Sequence, residues 1–344
     1  MSTVLVLGGT SWLGGTIAAA AVADGHDVTC LARGRSGAFP AGVHVATGDR
    51  DTPEAYAALP RSSSWDLVVD VARQPLHVRS ALRALADRAR SWVFVSSASV
   101  YARHDEPGAA EGAALLPALN ADVGTPEEYG EAKVACEQAV VAARGPAALI
   151  VRSGLLVGHG DPTERFGYWP GRFALAAQDG QPVLVPARRE RPVQWLDVDD
   201  LARWLLAAGL AGVTGVYNAT GPSTPLGAVL AAAARMAGFR GRVLAASDDD
   251  LRAEGIQEFM GARSLPLWLA EPGWSAFQDR DATRAAAAGL RCRDLDDTLA
   301  DALAWERLLG LGRDRDRAGL NRADELVVIS RLASRSHDQS GLTS

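Results

Sequence analysis

The sequence predicts an α/β protein with a doubly wound parallel sheet and a smaller, mostly helical lobe. Short apolar runs alternate with helical stretches through the first half of the chain, as in a parallel sheet covered by helices on both faces. A glycine-rich turn, GGTSWLGG (8–15), directly follows the first apolar run. At 344 residues the chain is longer than one average core supports, which favours two lobes.

The predicted elements follow in chain order. TVLVL (3–7) lacks polar alternation, which is typical of a strand buried on both faces. A helix is predicted from about Trp12 to Asp24, with Gly25 as its C-terminal stop. Further helices are predicted at 77–90 and from Pro126 onward. The remaining strands are predicted at 27–33, 43–49, 66–72, 91–97, 147–153 and 215–221.

The turn at 8–15 is typical of a dinucleotide-binding, or Rossmann, βαβ unit. Glycines there make the tight turn and let the backbone approach a pyrophosphate, which the helix N-terminus then holds. Ser11 stands where a middle glycine is expected, and a tight turn without a ligand is the alternative interpretation. In this turn we expect a cofactor to contact Gly8, Thr10, Ser11, Trp12, Leu13 and Gly14.

The second predicted strand ends in LARGR (31–35). An acidic residue near this point usually binds the ribose 2′-hydroxyl of NAD, whereas an arginine accommodates the 2′-phosphate of NADP. Arg33 and Arg35 therefore favour NADP(H), although NAD stays open and two solvated loop arginines are the alternative. Asp49 is expected either to bind the adenine amino group or to serve as a turn residue. The other residues expected at the cofactor are Arg50, Val71 and Ala72.

After the strand at 147–153 the chain changes character. Residues 158–192 are rich in Gly, Pro, Arg and aromatic residues, and residues 223–309 are mostly helical in pattern. We expect a Rossmann domain over 1–157, to which 193–221 return, and a substrate-binding lobe formed by 158–192 and 222–310. Residues 311–344 are expected to form a terminal helix near 323–334 and then a disordered tail.

Lys133, in YGEAK (129–133), is the one lysine among 35 basic side chains. It lies four residues after Tyr129, so the two side chains share one face of the predicted helix. An ammonium beside a phenol stabilises the phenolate, which suits general acid and base catalysis, and a compact charge does this better than a guanidinium. A surface Tyr–Lys pair is the alternative.

A run of hydroxyl residues, SSASVY (96–101), ends the fifth predicted strand. In an open parallel sheet, ligands bind at the carboxyl ends of the strands, and a hydroxyl there can donate to a substrate carbonyl or alkoxide. Serines at a strand end are otherwise a routine loop start.

These motifs together resemble the short-chain dehydrogenase/reductase superfamily, in its extended, epimerase/dehydratase-like branch. The resemblance also includes GDRD (48–51), RSGLLVGHGD (152–161) and QWLDVDDLA (194–202), and it spans about residues 3–221. It implies that Tyr129 donates and accepts the proton. It further implies that Lys133 binds the nicotinamide ribose and that Ser97 polarises the substrate oxygen. A homodimer is expected by analogy only.

The chain departs from the usual family pattern at several positions. Besides Ser11, Ser153 and His159 stand where prolines are usual, which indicates an atypical subgroup. Ala98 and Ser99 replace the Asp-Glu pair of sugar-nucleotide 4,6-dehydratases, so that dehydration is not expected.

The substrate is expected to contact DPTERFGYWPGRF (161–173). Tyr168 and Trp169 could wall an apolar pocket, and Arg165 could bind an anion. The alternative is that these aromatic residues form a small core of their own. His104 is expected either as a polar substrate contact or as an exposed side chain.

Composition and charge exclude several function classes. A net charge of −6 argues against a general binder of nucleic acid or anionic membranes, and no run approaches the ~20 apolar residues of a membrane span. The three cysteines form no CxxC pair, which favours reduced thiols in a cytoplasmic protein, and the scattered histidines predict no metal site. The start, MSTVLVLGGT, is typical of a strand and not of a signal peptide.

The sequence therefore predicts an NADP(H)-dependent oxidoreductase. It would transfer a hydride between the nicotinamide and a small-molecule carbonyl or alcohol through Ser97, Tyr129 and Lys133. One alternative is a nucleotide-sugar epimerase that retains NAD. A second is a non-catalytic relative that binds nucleotide or RNA, which the acidic balance of the chain opposes.

Overall fold

The computed structural model describes residues 1–60 and 63–341, which divide into two compact units. Unit 1 consists of Met1–Leu156, Trp195–Pro222 and Asp279–Cys292. Unit 2 consists of Val157–Gln194, Ser223–Gln278 and the chain from Arg293 onward.

The strands and helices of both units are numbered together in chain order. Within the described residues the strands are β1 (Thr3–Leu7), β2 (Asp27–Ala32), β3 (His44–Thr47), β4 (Trp65–Asp70), β5 (Ala89–Ser97), β6 (Ala148–Ser153), β7 (Leu156–Val157), β8 (Val183–Pro186), β9 (Pro192–Val193), β10 (Leu196–Asp197), β11 (Gly215–Ala219), β12 (Thr224–Pro225), β13 (Val243–Ala246), β14 (Gln257–Glu258) and β15 (Ser264–Leu265). The helices are α1 (Trp12–Ala23), α2 (Pro75–Leu85), α3 (Tyr129–Arg144), α4 (Tyr168–Asp179), α5 (Val198–Leu210), α6 (Leu226–Met236), α7 (Asp248–Ala253), α8 (Thr283–Ala287), α9 (Leu295–Leu309) and α10 (Arg322–Gly341).

Seven parallel strands form the central sheet of unit 1, in the order β11-β6-β5-β4-β1-β2-β3. The chain moves outward from β1 through β2 to β3, and then places β4 on the other side of β1. The predicted fold class is confirmed. Ligands of such sheets bind beyond the carboxyl ends of the strands where this reversal occurs, which here lies between β1 and β4.

Strand β1 shows why the apolar runs have no polar alternation. Successive side chains point to opposite faces of a strand, and both faces of this sheet are covered. Val4 and Val6 belong to the core shared with α1 and α5, whereas Leu5 and Leu7 belong to the core shared with α2 and α3. All four side chains are fully buried.

Unit 2 carries short strand pairs instead of a large sheet. Strands β8 and β13 pair in parallel, β9 and β12 pair antiparallel, and β14 and β15 pair in parallel. Helices α4, α6 and α9 pack against one another. In the part of the chain that the structure describes, no helix has both the length and the apolar character needed to cross a membrane.

Three local differences from the sequence predictions have physical reasons. Residues 279–292 belong to unit 1, because Leu290 and Ala285 pack into the core beside α5 and Trp204 donates to the Ala288 carbonyl at 3.0 Å. Helix α3 begins after the expected Pro126, because residues 125–128 form a separate turn closed by Thr125 and Glu128. Helix α10 is longer than predicted, and the predicted disorder at the very end of the chain lies outside the described residues.

Candidate active site

Two glycines of the first turn are required by the space around them. A Cβ on Gly14 would lie 2.2 Å from the Gly8 carbonyl oxygen, a distance that side chains do not adopt. Gly8 has a φ of +98° and would place a Cβ 2.8 Å from the Val71 side chain. By contrast, a Cβ on Gly15 would meet its nearest atom at 3.6 Å, which is an ordinary contact. The turn therefore brings the start of α1 directly onto the end of β1.

Ser11 replaces the middle glycine without strain. Its backbone is extended, with φ −75° and ψ 158°, and it forms the N-cap of α1. The hydroxyl oxygen accepts from the Gly14 amide at 3.2 Å and the hydroxyl donates to the Gly8 carbonyl at 2.8 Å. A serine at this position thus satisfies one free amide of the helix start, which a glycine could not do.

A cavity of about 420 Å³ lies beyond the carboxyl ends of β1, β2 and β4, at the reversal of the strand order. Its volume is within the range of small-molecule sites. Within the part of the chain that the structure describes, its lining includes Arg33, Arg50, Arg73 and His77 and no carboxylate. The predicted cofactor residues that line it are Gly8, Thr10, Ser11, Arg33, Arg50, Val71 and Ala72. Trp12, Leu13 and Gly14 form the adjoining first turn of α1.

The glycine turn and the cavity fit a dinucleotide cofactor. The missing side chains at Gly8 and Gly14 leave the backbone open beside the helix start, as a pyrophosphate requires. The support for an anionic ligand comes from this open backbone and not from the lining charges, because Arg33, Arg50 and His77 each have a carboxylate partner. Among the described residues, no cluster of three or more His, Cys, Asp or Glu side chains could hold a metal ion.

Arg50 is a buried structural residue of the cavity wall. Its guanidinium makes two hydrogen bonds to Asp70, at 2.9 and 2.8 Å, and donates to the His77 carbonyl at 2.6 Å. Burial opposes its charge, but the Asp70 carboxylate outweighs that effect and raises the pKa of Arg50. Asp70 also accepts from the Ala72 amide at 3.0 Å. The pair therefore fixes the ends of β3 and β4 and the start of α2 relative to one another.

Arg33 is neutralised by two carboxylates. Its Nη1 lies 3.4 Å from Asp51 Oδ2 and 3.8 Å from Asp49 Oδ1. Asp49 also accepts from the Asp51 amide at 3.2 Å, which is the turn role given above as its alternative. Asp49 does not line the cavity, and Arg35 is exposed.

Lys133 lies in the interior, with only 2% of its surface exposed. Its Nζ donates to the carbonyl oxygens of Ala72, at 2.7 Å, and Val95, at 2.6 Å. The same ammonium lies 4.8 Å from the ring centre of Phe94 and 6.0 Å from that of Tyr129. An ammonium can donate to both carbonyls from one compact charged group, which a planar guanidinium is not.

Tyr129 begins α3, is half-buried and lines the cavity. The guanidinium of Arg73 lies 5.0 Å from its ring centre, on an exposed loop after β4. The following residue must be glycine, because a Cβ on Gly130 would lie 2.5 Å from the Ser99 carbonyl oxygen. This close approach places the start of α3 against the segment that follows Ser97.

The two serines at the end of β5 face opposite ways, as strand geometry requires. Ser96 is buried and donates to Glu137 Oε1 at 2.5 Å. Ser97 is partly exposed; its hydroxyl oxygen accepts from the Ser99 amide at 3.1 Å, and its hydroxyl donates to Ser99 Oγ at 3.2 Å. Of the pair, Ser97 is the less buried, but it is not among the described residues that line the cavity.

A buried ion pair connects these elements. Arg152 makes two hydrogen bonds to Glu137, at 3.0 and 2.8 Å, and donates to the Tyr101 hydroxyl at 3.1 Å. Glu137 lies one turn after Lys133 on α3 and also holds Ser96. The pair therefore couples the helix of Tyr129 and Lys133 to the strand end that carries Ser97.

His104 is not the exposed side chain given above as an alternative. It is buried, and its Nδ1 lies 2.6 Å from an Nη of Arg280. Burial, followed by the neighbouring Arg280 charge, lowers the pKa of His104 to about 4. Arg280 and Arg152 lie over the ring of Tyr101, at 4.4 and 4.9 Å from its centre. The histidine is thus a neutral member of a buried polar network in unit 1.

The aromatic residues after β7 form a core within unit 2. Tyr168 and Trp169 are fully buried, so the prediction that they wall a substrate pocket is corrected in favour of its alternative. The Trp169 indole donates to the Pro266 carbonyl at 2.8 Å. Arg165 lies 4.7 Å from the ring centre of Phe259, again within this unit.

The amino-acid sequence also matches a known family. A model described as the NAD dependent epimerase/dehydratase family matches residues 4–219, which is more than half of the chain. The chain belongs to this family. Membership of the NAD dependent epimerase/dehydratase family confirms the resemblance drawn from the motifs. No curated protein matches the sequence.

Solved structures share the fold of this family member. The UDP-Glc/GlcNAc 4-epimerase from Campylobacter jejuni superposes with a TM-score of 0.66 at 16% identity, covering 90% of this chain and 100% of that one. The UDP-N-acetylglucosamine 4-epimerase from Bacillus cereus gives 0.64 at 17% identity, covering 89% and 100%. The enzyme WbmH from Bordetella bronchiseptica, solved with NAD+, gives 0.63 at 18% identity, covering 90% and 100%.

Sequence reasoning missed three residues of this epimerase/dehydratase-type site. Asp70 ends β4 and Arg73 follows it, beside Val71 and Ala72, so their position at the carboxyl edge could have drawn attention. Asp51 pairs with Arg33, but no spacing rule indicates that contact. Each of the three lies within or beside the cavity wall in unit 1.

Proposed function

We propose that the protein is an NAD-dependent epimerase that acts on a nucleotide sugar. The observation that carries this proposal is the position of Tyr129 on the wall of the cavity, with the buried Lys133 ammonium 6.0 Å from its ring centre. Family membership supports hydride chemistry with NAD. The structural relatives that are named as UDP-sugar 4-epimerases support the substrate class.

Each protein group has a defined task in the proposed reaction. Bound NAD supplies the acceptor for the hydride that leaves the substrate carbon and the donor that returns it to the opposite face. As a phenolate, Tyr129 takes the proton of the substrate hydroxyl in the first half and gives it back in the second. Because the hydride also returns to the substrate, the reaction has no net redox change. Lys133 stabilises the phenolate that takes this proton, and the Ser97 hydroxyl would donate to the substrate oxygen in place of Ser99 Oγ.

The charges around Arg33 support NAD over the NADP expected from the sequence. A 2′-phosphate needs an arginine whose charge is available. Arg33 already has Asp51 at 3.4 Å and Asp49 at 3.8 Å. NAD has a free 2′-hydroxyl, so it places no additional negative charge near the carboxylates of Asp49 and Asp51.

A second candidate function is an NADP(H)-dependent reductase of a small-molecule carbonyl. Arg35 favours it, because this exposed arginine makes no ion pair with any described residue and follows the same strand end. The same Ser97, Tyr129 and Lys133 would then hold the carbonyl oxygen and supply the proton. The two functions differ in whether the cofactor is consumed.

The test begins with the nucleotide that accompanies the purified protein. We expect heat-denatured protein to release NAD, identified by chromatography against standards. Incubation with UDP-glucose or UDP-N-acetylglucosamine should produce the C4 epimer without accumulation of NADH. Steady consumption of NADPH with a carbonyl substrate, without any epimer, would favour the reductase.

Tyr129→Phe tests the proposed proton carrier. Loss of the hydroxyl should reduce turnover by about 10²-fold or more and leave bound NAD unchanged. Tyr217→Phe is the matched control, because this hydroxyl donates to the Thr214 carbonyl at 3.2 Å, away from the cavity lining. Equal turnover of Tyr129→Phe and wild-type protein would contradict the mechanism.

A further inference from the structure

Asp51 lies between two basic side chains that line the cavity. Its Oδ2 is 3.4 Å from Arg33 Nη1, and its Oδ1 is 2.6 Å from His77 Nε2. The hydrogen bond from His77 is the largest of the effects that lower the pKa of the Asp51 carboxyl. Asp51 is therefore negatively charged at neutral pH.

The loop around Asp51 is held in place by the fold. The neighbouring Arg50 is buried and bonded through both Nη atoms to Asp70. Thr52 closes a turn with its amide and its hydroxyl, both donating to the Asp49 carbonyl at 3.0 and 3.1 Å. Because anchors lie on both sides of it, Asp51 keeps its place beside Arg33.

The charge of Asp51 acts differently on the two nicotinamide dinucleotides. A 2′-phosphate brings roughly −1.5 to −2 charges to the end of β2 and requires a free guanidinium. Asp51 competes for that guanidinium and repels the phosphate, whereas a 2′-hydroxyl meets neither penalty. Since Arg33 is 42% exposed and Asp51 50% exposed, solvent and salt weaken both effects.

We propose that Asp51 is a specificity-determining residue, which neutralises Arg33 and makes the site prefer a dinucleotide with a free 2′-hydroxyl. The inference rests on the proposed function only in that the cavity binds a nicotinamide dinucleotide. It concerns neither the substrate nor the reaction.

The experiment measures the dissociation constants of NADH and NADPH for the full-length protein freed of nucleotide, by nucleotide fluorescence. Wild-type protein should bind NADH more tightly. Asp51→Asn should tighten NADPH about 3- to 10-fold relative to NADH, and Asp51→Ser should act in the same direction. The gain should shrink in 0.5 M salt, whose Debye length is only about 4–5 Å.

Two variants separate this inference from a general charge effect. Asp27→Asn removes a comparable surface carboxylate, which pairs with His44 at 3.0 Å outside the cavity lining, and should leave the NADH to NADPH ratio unchanged. Arg33→Gln combined with Asp51→Asn should abolish the gain, because the gain requires the freed guanidinium.

Each outcome bears on a stated claim. An unchanged ratio in folded Asp51→Asn and Asp51→Ser, or a gain that persists without Arg33, would overturn the role of Asp51. Wild-type preference for NADPH would overturn it as well. If wild-type protein bound neither nucleotide, the proposed function would fail first, and the role of Asp51 would fail with it.

Discussion

Lys133 and Arg33 are two cations at the carboxyl edge of the same sheet, but their surroundings differ completely. Lys133 is 2% exposed and both of its hydrogen bonds end on backbone carbonyls. The Arg33 side chain is 42% exposed, and its partners are carboxylates. A carbonyl carries no net charge, so Lys133 keeps its full charge for the site, whereas the charge of Arg33 is cancelled locally.

The two cations also differ in what positions them. The carbonyls of Ala72 and Val95 belong to the ends of adjacent strands, whose pairing fixes them. Arg33 is held by a loop through exposed ion pairs, which are worth only about 0–1 kcal/mol each. A cationic side chain at a strand end therefore does not by itself provide charge to a ligand. Its hydrogen-bonding and ion-pair partners decide how much of that charge is available.

The largest expected effect comes from replacing Lys133 with Met. Turnover should fall by about 10²-fold or more, because the phenolate loses its neighbouring cation. Stability should also fall by about 1–3 kcal/mol, since two buried carbonyls lose their donor. The measurements are turnover and urea denaturation of the purified variant.

The matched change at the other cation is Arg33→Gln. It should alter the free energy of unfolding by no more than about 1 kcal/mol. Similar losses of stability in Lys133→Met and Arg33→Gln would remove the distinction between the two cations.

A second test concerns the buried ion pair near Lys133. Glu137→Gln should destabilise the protein by about 3–5 kcal/mol, because Arg152 remains buried without a charged partner. It should also reduce turnover more than it changes the KM, since Glu137 positions α3 and the end of β5.

The control is Glu325→Gln in unit 2. Glu325 is fully buried and pairs with Arg172 at 3.2 Å, far along the chain from the residues assigned to catalysis. It should cost similar stability without the specific loss of turnover. Equal losses of turnover per folded molecule would show that Glu137 has no positioning role.

The smallest effect is a pH dependence from His104. The folded-state pKa is lowered to about 4 from an ordinary value of 6.5, so the unfolded state binds the proton more readily between these values. The stability contribution is therefore complete above about pH 6.5 and is lost as the pH falls toward 4.

His104→Gln should flatten the fall in unfolding free energy over this window, by about 1–2 kcal/mol. Replacement of the exposed His44 by Gln removes an imidazole that is not buried, and serves as the control. The test is urea denaturation at half-unit steps of pH. An identical slope in His104→Gln and wild-type protein would contradict the assignment.

The parts of the fold that depend on local pattern could be predicted from the sequence. The apolar runs gave the strands of the central sheet, and GGTSWLGG gave the turn after β1. The rarity of lysine directed attention to Lys133, and the structure places that residue in the interior.

The parts that depend on distant contacts could not be predicted. The neutralisation of Arg33 requires Asp51, which comes from another strand end. Tyr168 and Trp169 have the composition of a pocket wall, and only their burial in unit 2 shows that they form a core. Residues 279–292 join unit 1 through Ala285, in α8, and Leu290, which follows that helix, and the local pattern does not indicate which unit they join.

The main-chain anchoring of Lys133 has a consequence for redesign. The acceptor at residue 72 is the backbone carbonyl, which is present whatever the side chain. The Lys133 ammonium would therefore keep its position if Ala72, on the cavity wall, were exchanged for another small residue. The shape of the cavity can thus be changed at this position without moving the Lys133 ammonium beside it.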